Sequence, residues 1–213
     1  MLKIVENNFY FEQIPVGSYR NFAYVLGERE TNEAAIFDPA WEVESLYSRI
    51  RNNEFTLKYI VNTHAHFDHI DGNVALKEKT GAQVIMHDTS RAMKDIGVKD
   101  GETLKLGNSI SLRFIHTPGH SPESMCIVID DYAILTGDTL FIGECGRVDL
   151  PGGDPSALYD SFDKIRKLDR NLMVYPGHDY GETRSSTLGE QVNLNYTMAK
   201  RSREEFIQFM SAP

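Results

Sequence analysis

Cysteine is scarce in this chain: Cys126 and Cys145 are the two among 213 residues. Two thiols cannot build the disulfide framework of a small secreted fold, so a reducing, cytoplasmic location is expected. Long apolar runs are missing as well. No stretch approaches the ~18 apolar residues of a membrane span. The N-terminus, Met1 to Gln13, alternates apolar and polar residues, with Glu6 and Glu12 among them, unlike the continuous apolar core of a signal peptide. Positive charge is in deficit, with 22 Lys and Arg against 31 Asp and Glu and a net charge of −9. A phosphate backbone demands a basic footprint, so nucleic acid is not an expected partner, and neither is a membrane. The rest of the composition, 41% hydrophobic and 25% charged without low-complexity segments or linkers, is that of an ordinary globular protein. A length of 213 residues suits one α/β domain spanning 1–213, given ~100–200 residues per domain.

The apolar pattern predicts strands and helices in alternation. Phe9 to Val16 and Phe22 to Leu26 read as a hairpin, and Ala34 to Phe37 as a strand ending at Asp38-Pro39. Val43, Leu46, Tyr47 and Ile50 recur at helical spacing up to Asn52. Leu57 to Val61 is a buried strand, followed by a helix from near Gly72 to Thr80-Gly81 and a strand from Gln83 to Met86. The second half repeats the plan, with strands at Ser109 to Ile115, Met125 to Ile129, Tyr132 to Leu135 and Leu172 to Tyr175. Between the last two, a helix from Pro155 to Leu168 starts with Pro in its first turn and Asp154 as N-cap.

Chemistry concentrates where these strands end. Thr63-His64-Ala65-His66-Phe67-Asp68-His69 packs three imidazoles and a carboxylate into six residues directly after a predicted strand. Imidazole and carboxylate are ligands for first-row divalent metals. His-x-His sets two rings on one side, and Asp68 and His69 are free to serve a second ion. Single candidates follow at other strand ends: His120 in Thr-Pro-Gly-His, Asp138 in Thr-Gly-Asp-Thr, and His178 in Pro-Gly-His. Five of the seven histidines lie in these motifs. His116 reads as a support for the loop carrying His120, and His87 as an ordinary strand-end residue. Cys126 reads as a small core residue and Cys145 as an accessible loop thiol between glycines.

These residues, in this order from about Asn21 to His178, resemble the metallo-β-lactamase superfamily. The resemblance implies an αββα sandwich, two mixed β-sheets flanked by helices with a metal site at the rim. It assigns His64, His66 and His120 to one metal and Asp68, His69 and His178 to another, with Asp138 bridging. Asp68 and Asp138 are then the catalytic carboxylates. Two divalent ions are implied, zinc first, with iron or manganese as alternatives. An aspartate at 138, where true lactamases commonly carry cysteine, directs the reading to the hydrolases resembling glyoxalase II.

Gly143-Glu144-Cys145-Gly146-Arg147 and His178-Asp179-Tyr180 bring the chain near both glyoxalase II and the persulfide dioxygenases. The implied reaction is hydrolysis of a small, hydroxyacylglutathione-type thioester by metal-activated water. The alternative is a persulfide dioxygenase with one iron(II) on His64, His120 and Asp138, and a third reading is a metal-bound protein without turnover. By resemblance Arg147 and Tyr180 contact a small-molecule, glutathione-linked substrate, and an ion pair with Asp149 is the plainer role for Arg147. The pattern departs from these families in three places. Only 35 residues follow His178 (213 − 178), where typical glyoxalase II continues into a helical domain. Tyr196-Thr197 stands where persulfide dioxygenases place an arginine, and Asp71 where glycine is frequent. Lys200, Arg201 and Arg203 read as the solvated face of a terminal helix. Oligomeric state is not legible.

Overall fold

In β3, Asn21–Glu28, the side chains of Phe22, Tyr24 and Leu26 join one buried cluster while Ala23 and Val25 join another, the period of two that a strand imposes. Both faces are covered, so the strand reads as an unbroken apolar run. The structure, a computed structural model, describes residues 2–6 and 9–211, with side chains from residue 9 onward. Met1, Asn7, Asn8, Ala212 and Pro213, parts of the 1–213 span and of the alternating N-terminal stretch, lie outside the described residues.

Two mixed sheets face each other. The first has seven strands in sequence order: β1 (Leu2–Glu6), β2 (Phe9–Val16), β3, β4 (Glu33–Phe37), β5 (Thr56–Val61), β6 (Gln83–His87) and β7 (Ile96–Val98). Its first four strands are antiparallel, and the remaining pairings are parallel. The second sheet has six strands: β8 (Thr103–Leu106), β9 (Ile110–His116), β10 (Met125–Ile129), β11 (Ala133–Gly137), β12 (Met173–Pro176) and β13 (Ser186–Thr187). All its pairings are antiparallel except β11 with β12.

Phe11, Phe22, Tyr24, Phe37 and Val61 from the first sheet pack against Leu112, Phe114, Ile127, Leu135 and Tyr175 from the second, forming the central core. The outer face of the first sheet is covered by α1 (Val43–Asn52) through Leu46 and Ile50, and by α3 (Asn73–Thr80) through Leu76. The outer face of the second is covered by α4 (Pro155–Ile165), α5 (Leu188–Leu194) and α6 (Arg203–Met210) through Leu158, Phe162, Leu188 and Phe206. The αββα order of layers is the one expected. Among the described residues no helix is long and apolar enough to cross a membrane.

The helix starts follow from their caps. The Asp154 side chain accepts from Ser156 N and Ala157 N with Pro155 in the first turn, as read from the sequence. Thr187 with Glu190, and Ser202 with Glu205, form capping boxes at α5 and α6. The α4 helix ends at Ile165, three residues before the expected Leu168. Strands β1, β7, β8 and β13 were not singled out in the sequence, and each lies at a sheet edge. Short edge strands need little apolar sequence, because one side and part of a face meet water. The basic C-terminal segment is not simply a solvated face. Arg203 bridges to Asp160 of α4 and lies 4.9 Å over Tyr159, and Arg201 lies 4.1 Å over Phe209 and donates to Tyr196 O.

Candidate metal centre

Four strands end at the same rim. After β5 the chain turns through Thr63 and His64 into the short helix α2 (Phe67–Ile70), which carries Asp68 and His69. The segments after β9, β11 and β12 bring His120, Asp138 and His178, so both sheets contribute donors. Glycine permits this convergence. Gly137 has a φ of 48° and a Cβ there would lie 2.4 Å from Thr63 Oγ1, while a Cβ at Gly177 would lie 2.3 Å from Asp138 Oδ1.

All seven motif residues come together in three overlapping groups: His64 with His66 and His120, His64 with His69 and Asp138, and Asp68 with His69 and His178. Donor atoms within a group lie within 4.8 Å of one another. His66 Nδ1 faces His120 Nε2 at 2.9 Å. Asp138 Oδ2 is 3.2 Å from His178 Nε2 and 3.6 Å from His120 Nε2, and Oδ1 is 3.4 Å from His69 Nε2. Asp68 Oδ2 lies 3.5 Å from His178 Nε2 and 3.6 Å from His69 Nε2.

The opposite edge of four rings is anchored. Nδ1–H of His120 donates to Arg147 O at 2.8 Å, and that of His178 to Tyr19 O at 2.9 Å. Nδ1 of His69 lies 3.1 Å from Asp38 Oδ2, and Nδ1 of His64 3.1 Å from Thr63 Oγ1. The hydroxyl of Thr63 in turn donates to Asp38 Oδ2 at 2.7 Å. Fixing Nδ1 in this way directs the Nε2 lone pair inward, as metal-bound imidazoles require. Two atoms at the centre, His64 Nε2 and Asp138 Oδ1, are buried without a hydrogen-bond partner. Buried polar atoms are rarely left so, and imidazole nitrogens beside carboxylate oxygens are a donor set that fits divalent ions.

Electrostatics agree. Burial, with His69 next, holds His64 well below the usual histidine range, and burial and His120 lower His66, so both rings stay neutral. Burial opposes charge on His69, but Asp138, Asp38 and Asp68 outweigh it and lift its pKa to about 9. Burial would raise Asp138, yet His69, His178 and His64 hold it well below the carboxylate range. Such opposed shifts within one cluster are characteristic of functional sites.

The centre opens into a cleft of about 490 Å³ lined by Tyr19, Phe67, Phe141, Glu144, Arg147 and Tyr180 beside five of the motif residues, His66, Asp68, His120, Asp138 and His178. Tyr180 and Arg147, the two residues matched to substrate contacts, thus share its wall. The Arg147 guanidinium makes the ion pair with Asp149, with both its bonds at 2.6 Å. The Gly143–Arg147 loop is held from the C-terminal segment. Gln191 accepts from Gly143 N, and Asn195 donates to Phe141 O and Glu144 O.

His116, His87 and Cys126 take the roles expected for them, with one addition. His116 donates from Nε2 to Pro122 O in the loop bearing His120. His87, at the end of β6, stacks on His116 at 3.8 Å and so links the two sheets. Cys126 is buried in the core, and Asp71 is exposed between α2 and α3. Cys145 is not the accessible thiol expected: it is only partly exposed, and burial pushes its thiol up to about 12.

Two supporting residues escaped sequence reasoning. Asp38 holds Thr63 and His69, and the signal was its place at a strand end beside Pro39. Asn21 donates to Asp68 O at 2.9 Å and to Asp68 Oδ2 at 3.0 Å, and nothing in its local sequence marks that contact.

Comparison with known proteins agrees with this architecture. Residues 17–178 match the family model described as "Metallo-beta-lactamase superfamily". The chain is 36% identical over 193 residues to the mitochondrial persulfide dioxygenase ETHE1 of Homo sapiens, covering 89% of this chain and 75% of that one. It is 37% identical over 196 residues to the hydroxyacylglutathione hydrolase of Polaromonas sp., covering 89% and 70%. The crystal structure of ETHE1 from Myxococcus xanthus superposes with a TM-score of 0.89 at 31% identity, covering 95% of this chain and 92% of that chain. With the matched model covering most of its length and the His and Asp groups gathered at one rim, the chain belongs to the metallo-beta-lactamase superfamily.

Proposed function

We propose that the chain hydrolyses a small thioester at a centre of two divalent ions, zinc first among the candidates. His64, His66 and His120 would hold one, Asp68, His69 and His178 the other, and Asp138 both. The position of Asp138 carries this reading: its Oδ1 faces His69 at 3.4 Å, while its Oδ2 faces His178 at 3.2 Å and His120 at 3.6 Å. One carboxylate therefore addresses donors of both groups.

Divalent ions bound there would lower the pKa of water toward ~7 and polarise a carbonyl oxygen. The protein's own contribution is positional. Anchored imidazoles present their lone pairs without reorganisation. Asp68, partly exposed and steered by Asn21, would hold the proton released when water attacks. A thiolate leaves without a strong acid, since free thiols have a pKa near ~8.5. Phe141 and Tyr180 line the cleft and restrict water, and Tyr180 and Arg147 would contact the thiol carrier. A cytoplasmic location forms part of the proposal, supported by the two free cysteines.

The near whole-chain correspondence with the Myxococcus xanthus ETHE1 structure favours a second reading, a persulfide dioxygenase using one iron(II) on His64, His120 and Asp138. Elemental analysis of protein purified without added metal separates the two. The parallel assay follows thiol release from a thioester and O₂ uptake with a persulfide, using zinc- and iron-loaded protein. Two ions per chain with thiol release supports hydrolysis. One iron with O₂ uptake alone overturns it for the dioxygenase.

A further inference from the structure

Large apolar side chains gather at the mouth of the cleft and stay in water: Tyr19 is 55% exposed, Phe67 61% and Tyr180 46%. They are organised. Tyr19 stacks on Trp41 with centroids 5.7 Å apart, and Phe67 meets both edge-on at 5.9 and 6.4 Å. Tyr180 stacks on the His178 ring at 4.7 Å and meets Phe141 edge-on at 5.1 Å. The hairpin turn before β3 is shaped around the indole, because a Cβ at Gly17 would lie 1.9 Å from the Trp41 ring. An exposed aromatic surface beside a reactive centre marks a place where ligand covers it.

The charges there do not suit an anionic carrier. Arg147 is the one Lys or Arg lining the cleft among the described residues, and Asp149 occupies its guanidinium fork. Glu144 adds a further negative charge to the wall. Arg20 stands 5.7 Å over the Tyr180 ring but lines a separate cavity with Glu42 and Asp179. Lys200 and Arg201 line another, with Tyr159, Asp163 and Arg166. A carrier with two carboxylates, such as glutathione, meets no unpaired Lys or Arg among the described residues of the cleft lining itself, Arg20 standing outside it over the Tyr180 ring.

We infer that the mouth selects an uncharged thiol-carried substrate with an aryl or alkyl arm, which packs on Tyr19, Phe67 and Tyr180. This deepens the thiol-substrate reading above and rests on it for the reaction, but not for the binding.

Trp41 is the sole tryptophan, so its fluorescence reports binding at the cluster without turnover. The probes are three stable thioethers titrated against metal-loaded protein: S-benzyl-N-acetylcysteamine, S-methyl-N-acetylcysteamine and S-benzylglutathione. The benzyl cysteamine is expected to bind about tenfold more tightly than the methyl one, the scale of one good aromatic contact, and glutathione's carboxylates should add nothing. Phe67→Ala, at an exposed position, should abolish that preference. So should Tyr19→Ala, which keeps the backbone carbonyl that holds His178.

Equal binding of benzyl and methyl probes, tighter binding of the glutathione probe, or no binding at all overturns the inference. Benzyl-selective binding without thiol release from the phenylacetyl thioester of N-acetylcysteamine upholds it and sinks hydrolysis. Turnover with a lower KM for glutathione thioesters than for cysteamine ones does the reverse.

Discussion

Asp38 Oδ2 lies 3.1 Å from Nδ1 of His69, with both side chains buried. The same oxygen accepts from Thr63 Oγ1, whose hydroxyl faces His64 Nδ1. One buried carboxylate thus sets the orientation of a ring in each donor group. Its own backbone holds a φ of 49°, an uncommon conformation for a non-glycine residue.

Asp38→Asn should keep the fold and weaken metal retention by about 10- to 100-fold, the usual cost of losing a partner behind a ligand. Competition with a chromophoric chelator measures it. Unchanged retention would show that Asp38 supports the loop alone.

His69 gives the metal-free protein a defined response to pH. Its folded pKa of about 9 stands above the unfolded value of ~6.5. The stabilisation is therefore complete below ~6.5 and lost as pH rises through the folded value. Melting of chelator-treated protein should shift to lower temperature from pH 6.5 to above 9 on this account. Metal displaces the same proton, so affinity should rise with pH and binding near pH 7.5 should acidify a weakly buffered solution. Metal uptake without proton release would contradict the assignment.

Asp138→Ala should cut activity by at least about 10²-fold, because the donors of both groups lose their shared carboxylate. His87→Ala, which removes a stack on His116 outside the donor groups, should stay within about threefold of the parent, in line with the small effect of changes outside named stabilising features. Steady-state rates of folded variants compare them. Similar losses in both would mean that the centre has been misplaced.

Cys145 sits in the loop beside the cleft, yet burial raises its thiol to about 12. Thiolate is the reactive form, so iodoacetamide at pH 8 should leave Cys145 largely unmodified in native protein and label it fully in denaturant. Mass spectrometry of the labelled peptides reads the result, and rapid native labelling would refute it.

The seven motif residues that gather at the rim were legible because each sits in a short motif that follows an apolar strand, so local sequence carried both the chemistry and the place of delivery. The helix at Val43–Asn52 and the strand at Met125–Ile129 appeared with their observed limits, since apolar spacing reports burial directly. Asp38, Asn21 and the Tyr19–Trp41–Phe67 cluster left no such trace. Their partners are distant in sequence: Asn21 meets Asp68 across 47 positions, and the anchor of His178 lies 159 positions away. The chain alone therefore determined which atoms can bind metal and that strand ends would carry them. Only the packing of two sheets decided which donors meet, which ring nitrogens face inward and which aromatic faces remain in water. Those relations arise between segments that local propensity cannot connect, and burial at a shared rim makes them specific.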